Sequence, residues 1–185
     1  SMTDEPVRSA TYAAIAEAER CGVLRSFDPN LRPPLWRNLV EAKEQVCYGL
    51  AHCDILKISD NEIQWLTGLN DYDQGVSWIW ERYPAIKLIL LSMGKDGSRA
   101  YAGDIQAEAQ AFRVDTIETT GAGDTFFGAV LHHVLMWGMG DYTGEQLTRM
   151  LTFANAAAAI VTTRKGALRV MPGKEEIAAL METME

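Results

Sequence analysis

Cysteine is scarce in this sequence and forms no pattern. Cys21, Cys47 and Cys53 are three in 185 residues, an odd number without metal-ligand spacing. That argues against a disulfide framework and a zinc site, and the thiols read as reduced core residues of a cytosolic protein. Positive charge is also in short supply. Seventeen Lys and Arg face 25 Asp and Glu, for a net charge of -8, so there is no global field to hold nucleic acid or an anionic membrane surface. No uninterrupted apolar run approaches about 18 residues, and no charged-then-apolar leader opens the chain, so a cytoplasmic location is expected. Of the three histidines, His52 stands alone and the adjacent His132 and His133 point to different faces of a helix, which provides no metal set. No internal repeat, low-complexity tract or long linker interrupts the sequence, which is expected to form one domain, or part of one, over residues 1–185.

What is present suits a packed α/β domain. Hydrophobic residues make up 48% of the chain and charged residues 23%, enough apolar material for a sizeable core. Helical spacing of Val7, Tyr12, Ile15 and Ala18 predicts a helix over 6–21 that stops at Gly22. A strand over 23–28 should end in the turn Asp28-Pro29-Asn30, and a helix is expected over 35–51. The run Ile55-Leu56-Lys57-Ile58 reads as a strand, followed by a helix capped by Ser59 or Asp60 and ended by Gly68. A helix over 76–82 and a buried strand over 87–92 come next, with Gly94 and Gly97 turning the chain. Shorter antiparallel strands are expected at Tyr101 and around 107–114. Helices are predicted over 121–137, 145–163 and 174–184. Strands alternating with helices imply a mainly parallel sheet with helices on both faces.

An acidic protein of this kind has a small molecule as its default partner, and any phosphate must find its positive potential locally. The segment Thr119-Thr120-Gly121-Ala122-Gly123-Asp124-Thr125 supplies a means. Gly121 and Gly123 allow close approach of the main chain, and the N–H groups at a helix start can hold a phosphate or developing negative charge. Asp124 has two readings: a first-turn carboxylate that stabilises the helix, or a general base that takes a proton from an attacking hydroxyl.

This segment resembles the second signature of the ribokinase-like, or PfkB, carbohydrate kinases, Asp-Thr-x-Gly-Ala-Gly-Asp, with Glu118 where that family usually has Asp. The resemblance implies a ribokinase-like α/β fold. It makes Asp124 the catalytic base, and the backbone of Gly121, Ala122 and Gly123 an anion hole. Phe27-Asp28-Pro29-Asn30-Leu31-Arg32 is similar to a strand-end motif of fructokinases and ketodeoxygluconate kinases, implying contacts from Asp28, Asn30 and Arg32 to substrate or phosphate. Ser59-Asp60-Asn61-Glu62 resembles the family's Asn-x-x-Glu region with Ser in place of Asn, and only Glu62 is carried over, as the acid that organises magnesium. Ser92-Met93-Gly94-Lys95-Asp96-Gly97 matches an element along the nucleotide, which implicates Ser92, Gly94 and Gly97. Asn155 and Gly166 fall in a helix and loop that resemble those flanking adenine.

By that resemblance the chain is the C-terminal, nucleotide-binding part of an ATP-dependent sugar kinase, with fructose the expected acceptor. ATP, Mg2+ and a monovalent cation such as K+ are the implied cofactors. A ketodeoxygluconate kinase, a ribokinase and a non-catalytic nucleotide- or sugar-binding module are the alternatives. The family's Gly-Gly substrate motif and β-sheet lid are not found in the sequence. An N-terminal half of the same enzyme is therefore expected as partner, and a homodimer is conceivable for the full-length protein.

Overall fold

The computed structural model describes residues 2–184. The chain divides into two compact units, Ser1–Leu90 and Leu91–Glu185. In the first, helix α1 (Val7–Arg20) leads through Gly22, at φ 65°, to the short strand β1 (Ser26–Phe27). The α1 stripe read from the sequence forms a helix but no core: none of its residues is buried, and Val7 is 51% exposed. The helix is held instead by polar contacts and by the Tyr12 ring against that of Tyr48, centroids 4.4 Å apart. Arg8 pairs with Glu41 at 2.6 Å, the Tyr12 hydroxyl donates to Gln45, and His52 Nδ1 lies 2.8 Å from Glu19 Oε1. The predicted strand over 23–28 shrinks to two residues, with Val23 and Leu24 left exposed.

Helix α2 (Leu39–Ala51) begins four residues later than the apolar pattern suggested. Pro33–Leu35 instead form a 3-10 turn, and the Asn38 side chain caps α2 by accepting the Glu41 N–H. Strand β2 (Ile55–Ser59) runs parallel to β1, pairing Ser26 with Ile55 and Phe27 with Leu56. Helix α3 (Asp60–Thr67) carries the predicted Ser59 cap and the Gly68 stop, and α4 (Tyr72–Arg82) starts earlier than expected because Asp71 caps it. Strand β3 (Leu88–Ser92) follows, and the Lys87 N–H donates to the Asp54 carbonyl at 2.8 Å. Ile55, Leu56, Ile63, Leu66, Ile79 and Leu88 are all essentially inaccessible and make up the core here. Cys53 belongs to it, and burial pushes its thiol up to about 12, which keeps it unreactive.

The second unit opens with the hairpin of β4 (Ser98–Ala102) and β5 (Ile105–Ala109), antiparallel with Ser98 opposite Ala109. The sheet pattern is therefore mixed, with a parallel β1–β2 pair and an antiparallel β4–β5 pair. Three helices complete the unit: α5 (Ala122–Trp137), α6 (Gly144–Thr162) and α7 (Lys174–Met181). Residues 182–184 of the last predicted helix tighten into a 3-10 turn. Ala156, Ala157 and Ile160 of α6 pack with Phe112 and Ile177 in one cluster, with Phe153 against it. Small residues in α6 allow that close packing. His133 is buried on α5, donates from Nδ1 to Ala129 O at 3.0 Å and meets Phe153 and Trp137 edge-on, so it is a packing residue.

Candidate functional site

Within the second unit a cleft of about 960 Å³ is lined by four stretches of chain, one of them the α6 face with Asn155, Ala158, Ala159 and Thr162. Ser92 comes from the end of β3, Gly94 and Gly97 from the turn after it, Gln110 to Val114 from the segment after β5, and Ala122 and Gly123 from the start of α5. Gly97 makes the first stretch possible. Its φ of 92° and ψ of -140° belong to glycine alone, and a Cβ would lie 2.2 Å from the Ala109 carbonyl oxygen. Gly94, at φ 55°, faces open space.

The start of α5 differs chemically from that of its neighbours. Side chains of Asn38, Ser59, Asp71 and Thr143 close α2, α3, α4 and α6, whereas α5 begins at Gly121 with no side-chain cap. The Ala122 N–H donates to the Thr119 carbonyl at 3.2 Å, which leaves the following N–H groups of the first turn, Gly123 first, for a ligand at the cleft, where the helix dipole adds to their pull on an anion. Gly121 has φ 82°, and a Cβ there would crowd Ala167 Cβ at 3.2 Å, so glycine is required on two counts. Glu118 ties this loop to the next one: it accepts the Gly166 N–H at 3.2 Å, while the Ile117 and Glu118 N–H groups donate to Thr162 O at 2.8 and 3.1 Å. The Thr120 hydroxyl, then the Gly166 N–H and the charge of Lys165, hold the Glu118 carboxyl below its usual range. The acid that departs from the family pattern therefore still braces the two loops.

Asp124 sits in the first turn of α5, exposed, and makes no hydrogen bond or ion pair among the described residues. Neither Asp124, Gly121 nor Gly166 lines the cleft itself, although Gly121 and Gly166 are brought together by the Glu118 brace. Asn155 does line it, but its amide is engaged by protein: Oδ1 accepts from Ser98 Oγ at 2.9 Å, and Nδ2 donates to the carbonyls of Ala109 and Gln110 at 3.1 and 3.0 Å. The side chain clamps α6 to the hairpin that ends in one wall of the cleft.

The motif residues of the first unit form their own cluster. Asp28 accepts the Asn30 N–H at 3.1 Å and pairs with Lys57 at 3.1 Å. Burial raises the Asp28 pKa, against the pull of Lys57. Glu62 accepts the Leu31 N–H at 2.7 Å on one oxygen, and the Ser59 N–H and hydroxyl, both at 2.8 Å, on the other. It closes the α3 capping box and fastens the preceding turn. Arg32 is exposed and forms no ion pair among the described residues. Among those residues no group of three or more His, Cys, Asp or Glu is arranged to hold a metal ion. Sequence reasoning passed over Lys57. A lysine inside an otherwise apolar strand was the available signal, since a charge buried there needs an acid partner.

Comparison with known proteins agrees with this architecture. The chain is 40% identical over 173 residues to the Arabidopsis thaliana protein named "Probable fructokinase-2", covering 93% of this chain and 52% of that protein. It spans about half the length of most of the curated relatives it matches. Among solved structures, a double mutant of the fructokinase from Vibrio cholerae O395, bound to fructose, ADP and potassium ion, superimposes with a TM-score of 0.85 at 30% identity over 97% of this chain and 57% of that one. The aminoimidazole riboside kinase from Salmonella enterica, complexed with aminoimidazole riboside and an ATP analog, gives 0.84 at 28% identity over 97% and 59%. The fold is thus the ribokinase-like α/β fold, and residues 1–173 match the family description "pfkB family carbohydrate kinase". That match covers nearly the whole chain, and the chain belongs to the PfkB family of carbohydrate kinases.

Proposed function

We propose that the chain provides the nucleotide-binding and phosphoryl-transfer part of an ATP-dependent sugar kinase, with fructose as acceptor. The observation that carries this is the uncapped α5 start opening on the second-unit cleft. ATP supplies the phosphoryl group, with a divalent cation offsetting part of its charge. The N–H groups of Gly123 and its neighbours hold the transferring group, and Gly94 and Gly97 leave room for the nucleotide along the cleft wall. Asp124, free of protein partners, accepts the proton of the attacking hydroxyl. Asn155 shapes the nucleotide site through its clamp and does not touch the base. Glu62 already accepts three hydrogen bonds, which suits contact with a metal-bound water better than direct ligation. Gly166 and Glu118 are the groups near which a monovalent cation would sit.

Because the chain spans about half the length of its curated relatives, full turnover is proposed to need the remainder of the kinase fold, which would orient the sugar and exclude water. Three free thiols fit the cytoplasm as the compartment.

Hydrogen exchange with and without ADP tests the nucleotide site, with protection expected at 94–97, 110–114 and 122–124. Unchanged exchange there would sink it. A coupled ADP-release assay over fructose, ribose, ketodeoxygluconate and adenosine, run on the chain restored with its upstream coding sequence, tests the chemistry. Asp124→Asn should cut turnover by about 100-fold or more while leaving ADP affinity nearly intact. Normal turnover in that variant removes Asp124 as base, and ADP binding without turnover on any acceptor favours a non-catalytic module. Likeness to the riboside kinase favours a ribosyl acceptor as the second reading.

A further inference from the structure

Among the described residues two side-chain amides line the second-unit cleft, and only one of them is engaged. Asn155 donates from Nδ2 to the carbonyls of Ala109 and Gln110, at 3.1 and 3.0 Å, and its Oδ1 accepts the Ser98 hydroxyl at 2.9 Å. Gln110 lends that clamp its main chain and keeps its side chain out of it. The Gln110 amide is exposed at the cleft and has no hydrogen-bond partner among the described residues. The charged side chains along the cleft offer less to a heterocycle. Lys95 and Arg113 only donate, and Asp96 and Glu108 only accept, with Glu108 already held by Arg99 at 3.1 Å. A free amide presents a donor and an acceptor side by side in one plane. Gln110 also stands at the end of the cleft away from the α5 start. Helix α6 runs along the cleft from Asn155 to Thr162, a rise of about 10 Å. The Thr162 carbonyl accepts the Ile117 and Glu118 N–H groups, from the loop that leads into α5, at 2.8 and 3.1 Å. The Asn155 end carries Gln110, and Ala158 and Ala159 between the two ends present only methyl groups.

We infer that Gln110 selects the nucleobase of the phosphoryl donor, its amide accepting from adenine N6 and donating to N7. The inference deepens the kinase reading and rests on it: with the phosphates at the α5 start, the base comes to the Asn155 end of the cleft. Side-chain amides pair with that edge of adenine through two bonds at once. Hypoxanthine carries an O6 acceptor where adenine has its amino group, so the Gln110 carbonyl would face another oxygen and one bond of the pair would be lost. The Asn155 clamp contributes by holding the Gln110 main chain, which lowers the entropy of ordering the side chain on binding.

The test measures ADP and IDP affinity by calorimetry for the chain restored with its upstream coding sequence and for its Gln110→Ala and Gln110→Arg variants. Because Asn155 grips the main chain of residue 110, both variants should keep the Tm of the unaltered protein. The unaltered protein should bind ADP about tenfold more tightly than IDP. Gln110→Ala should lose about that factor with ADP and little with IDP, leaving the two within about twofold of each other. Gln110→Arg, which only donates, matches the O6 and N7 acceptors of hypoxanthine and should invert the preference. A Gln110 that merely supports the fold would weaken both nucleotides alike or lower Tm. Either of those results, no ADP preference in the unaltered protein, or an ADP preference that survives Gln110→Arg would overturn the inference while leaving nucleotide binding at the cleft in place. Binding of neither nucleotide, with exchange at 94–97 and 122–124 unchanged, would remove the nucleotide site of the kinase reading and the inference with it.

Discussion

Asn155→Asp changes one side-chain atom and should cost more than most substitutions in the second unit. The wild-type amide donates from Nδ2 to two carbonyls, Ala109 O at 3.1 Å and Gln110 O at 3.0 Å, with Oδ1 accepting from Ser98. Aspartate keeps the acceptor and turns the donor into a second oxygen facing those carbonyls. Two hydrogen bonds of about 1 kcal/mol each are lost, and the desolvation of two partly stranded carbonyls adds about as much again or more. A residue 7% exposed also acquires a carboxylate beside carbonyl oxygens. A loss of about 3 kcal/mol at pH 7 is a conservative sum, lowering Tm by about 6–12 °C for a chain of this size. The sign of its pH dependence follows from the introduced group. Burial and carbonyl neighbours raise its folded pKa above the unfolded value, so the variant is relatively most stable at low pH and loses stability as pH rises through the folded pKa. Thermal unfolding of both proteins from pH 4 to 8 should therefore show a gap that widens with pH. A gap below about 1 kcal/mol, or one independent of pH, would refute the clamp, since a solvent-facing Asn155 predicts just that.

Two further substitutions probe the same unit. Gly97→Ala places a Cβ 2.2 Å from the Ala109 carbonyl oxygen, at a backbone conformation reserved for glycine, and should destabilise by about 3 kcal/mol or abolish ADP binding. Gly94→Ala, at φ 55° in open space, should cost about 1 kcal/mol by urea titration, so equal effects would contradict the packing described. His133 has its pKa lowered by burial first, and then by the nearby His132, Arg149 and Lys174. Because the unfolded chain binds the proton more readily, stability should fall as pH drops from about 6.5 towards the folded pKa. His133→Gln should flatten that fall, and an unaltered profile in the variant would place the titrating group elsewhere.

Much of the fold could be read from local signals, and the exceptions have identifiable causes. Ser59 as a cap, Gly68 as a stop and the buried run ending at Ser92 all act within a few residues, so the sequence displays them directly. The start of α2 was misplaced because Leu35 extends the apolar period, while the consecutive prolines Pro33 and Pro34 and the Asn38 cap decide the boundary. Strand β5 ends at Ala109, well before the far end of the 107–114 stretch, where the carbonyls of Ala109 and Gln110 turn to Asn155, 46 and 45 residues away. No local pattern encodes such a partner. Of the candidate residues, Ser92, Gly94, Gly97, Ala122, Gly123 and Asn155 come together around one cleft. The family resemblance implicates Asn155 and Glu62 as ligand contacts; it gives no sign that their side chains also hold protein groups, which only folding reveals.

Helix α1 is attached to its unit rather than built into it. A 14-residue segment with no buried side chain, joined to α2 at Arg8, Tyr12 and Glu19, owes its place to contacts that water and salt can compete for. Raising ionic strength should loosen it before any core element responds, and its exposed positions can change type without cost to the fold. In a chain this acidic, that helix is the part of the molecule whose sequence is freest to drift and whose removal by a protease the rest would best survive.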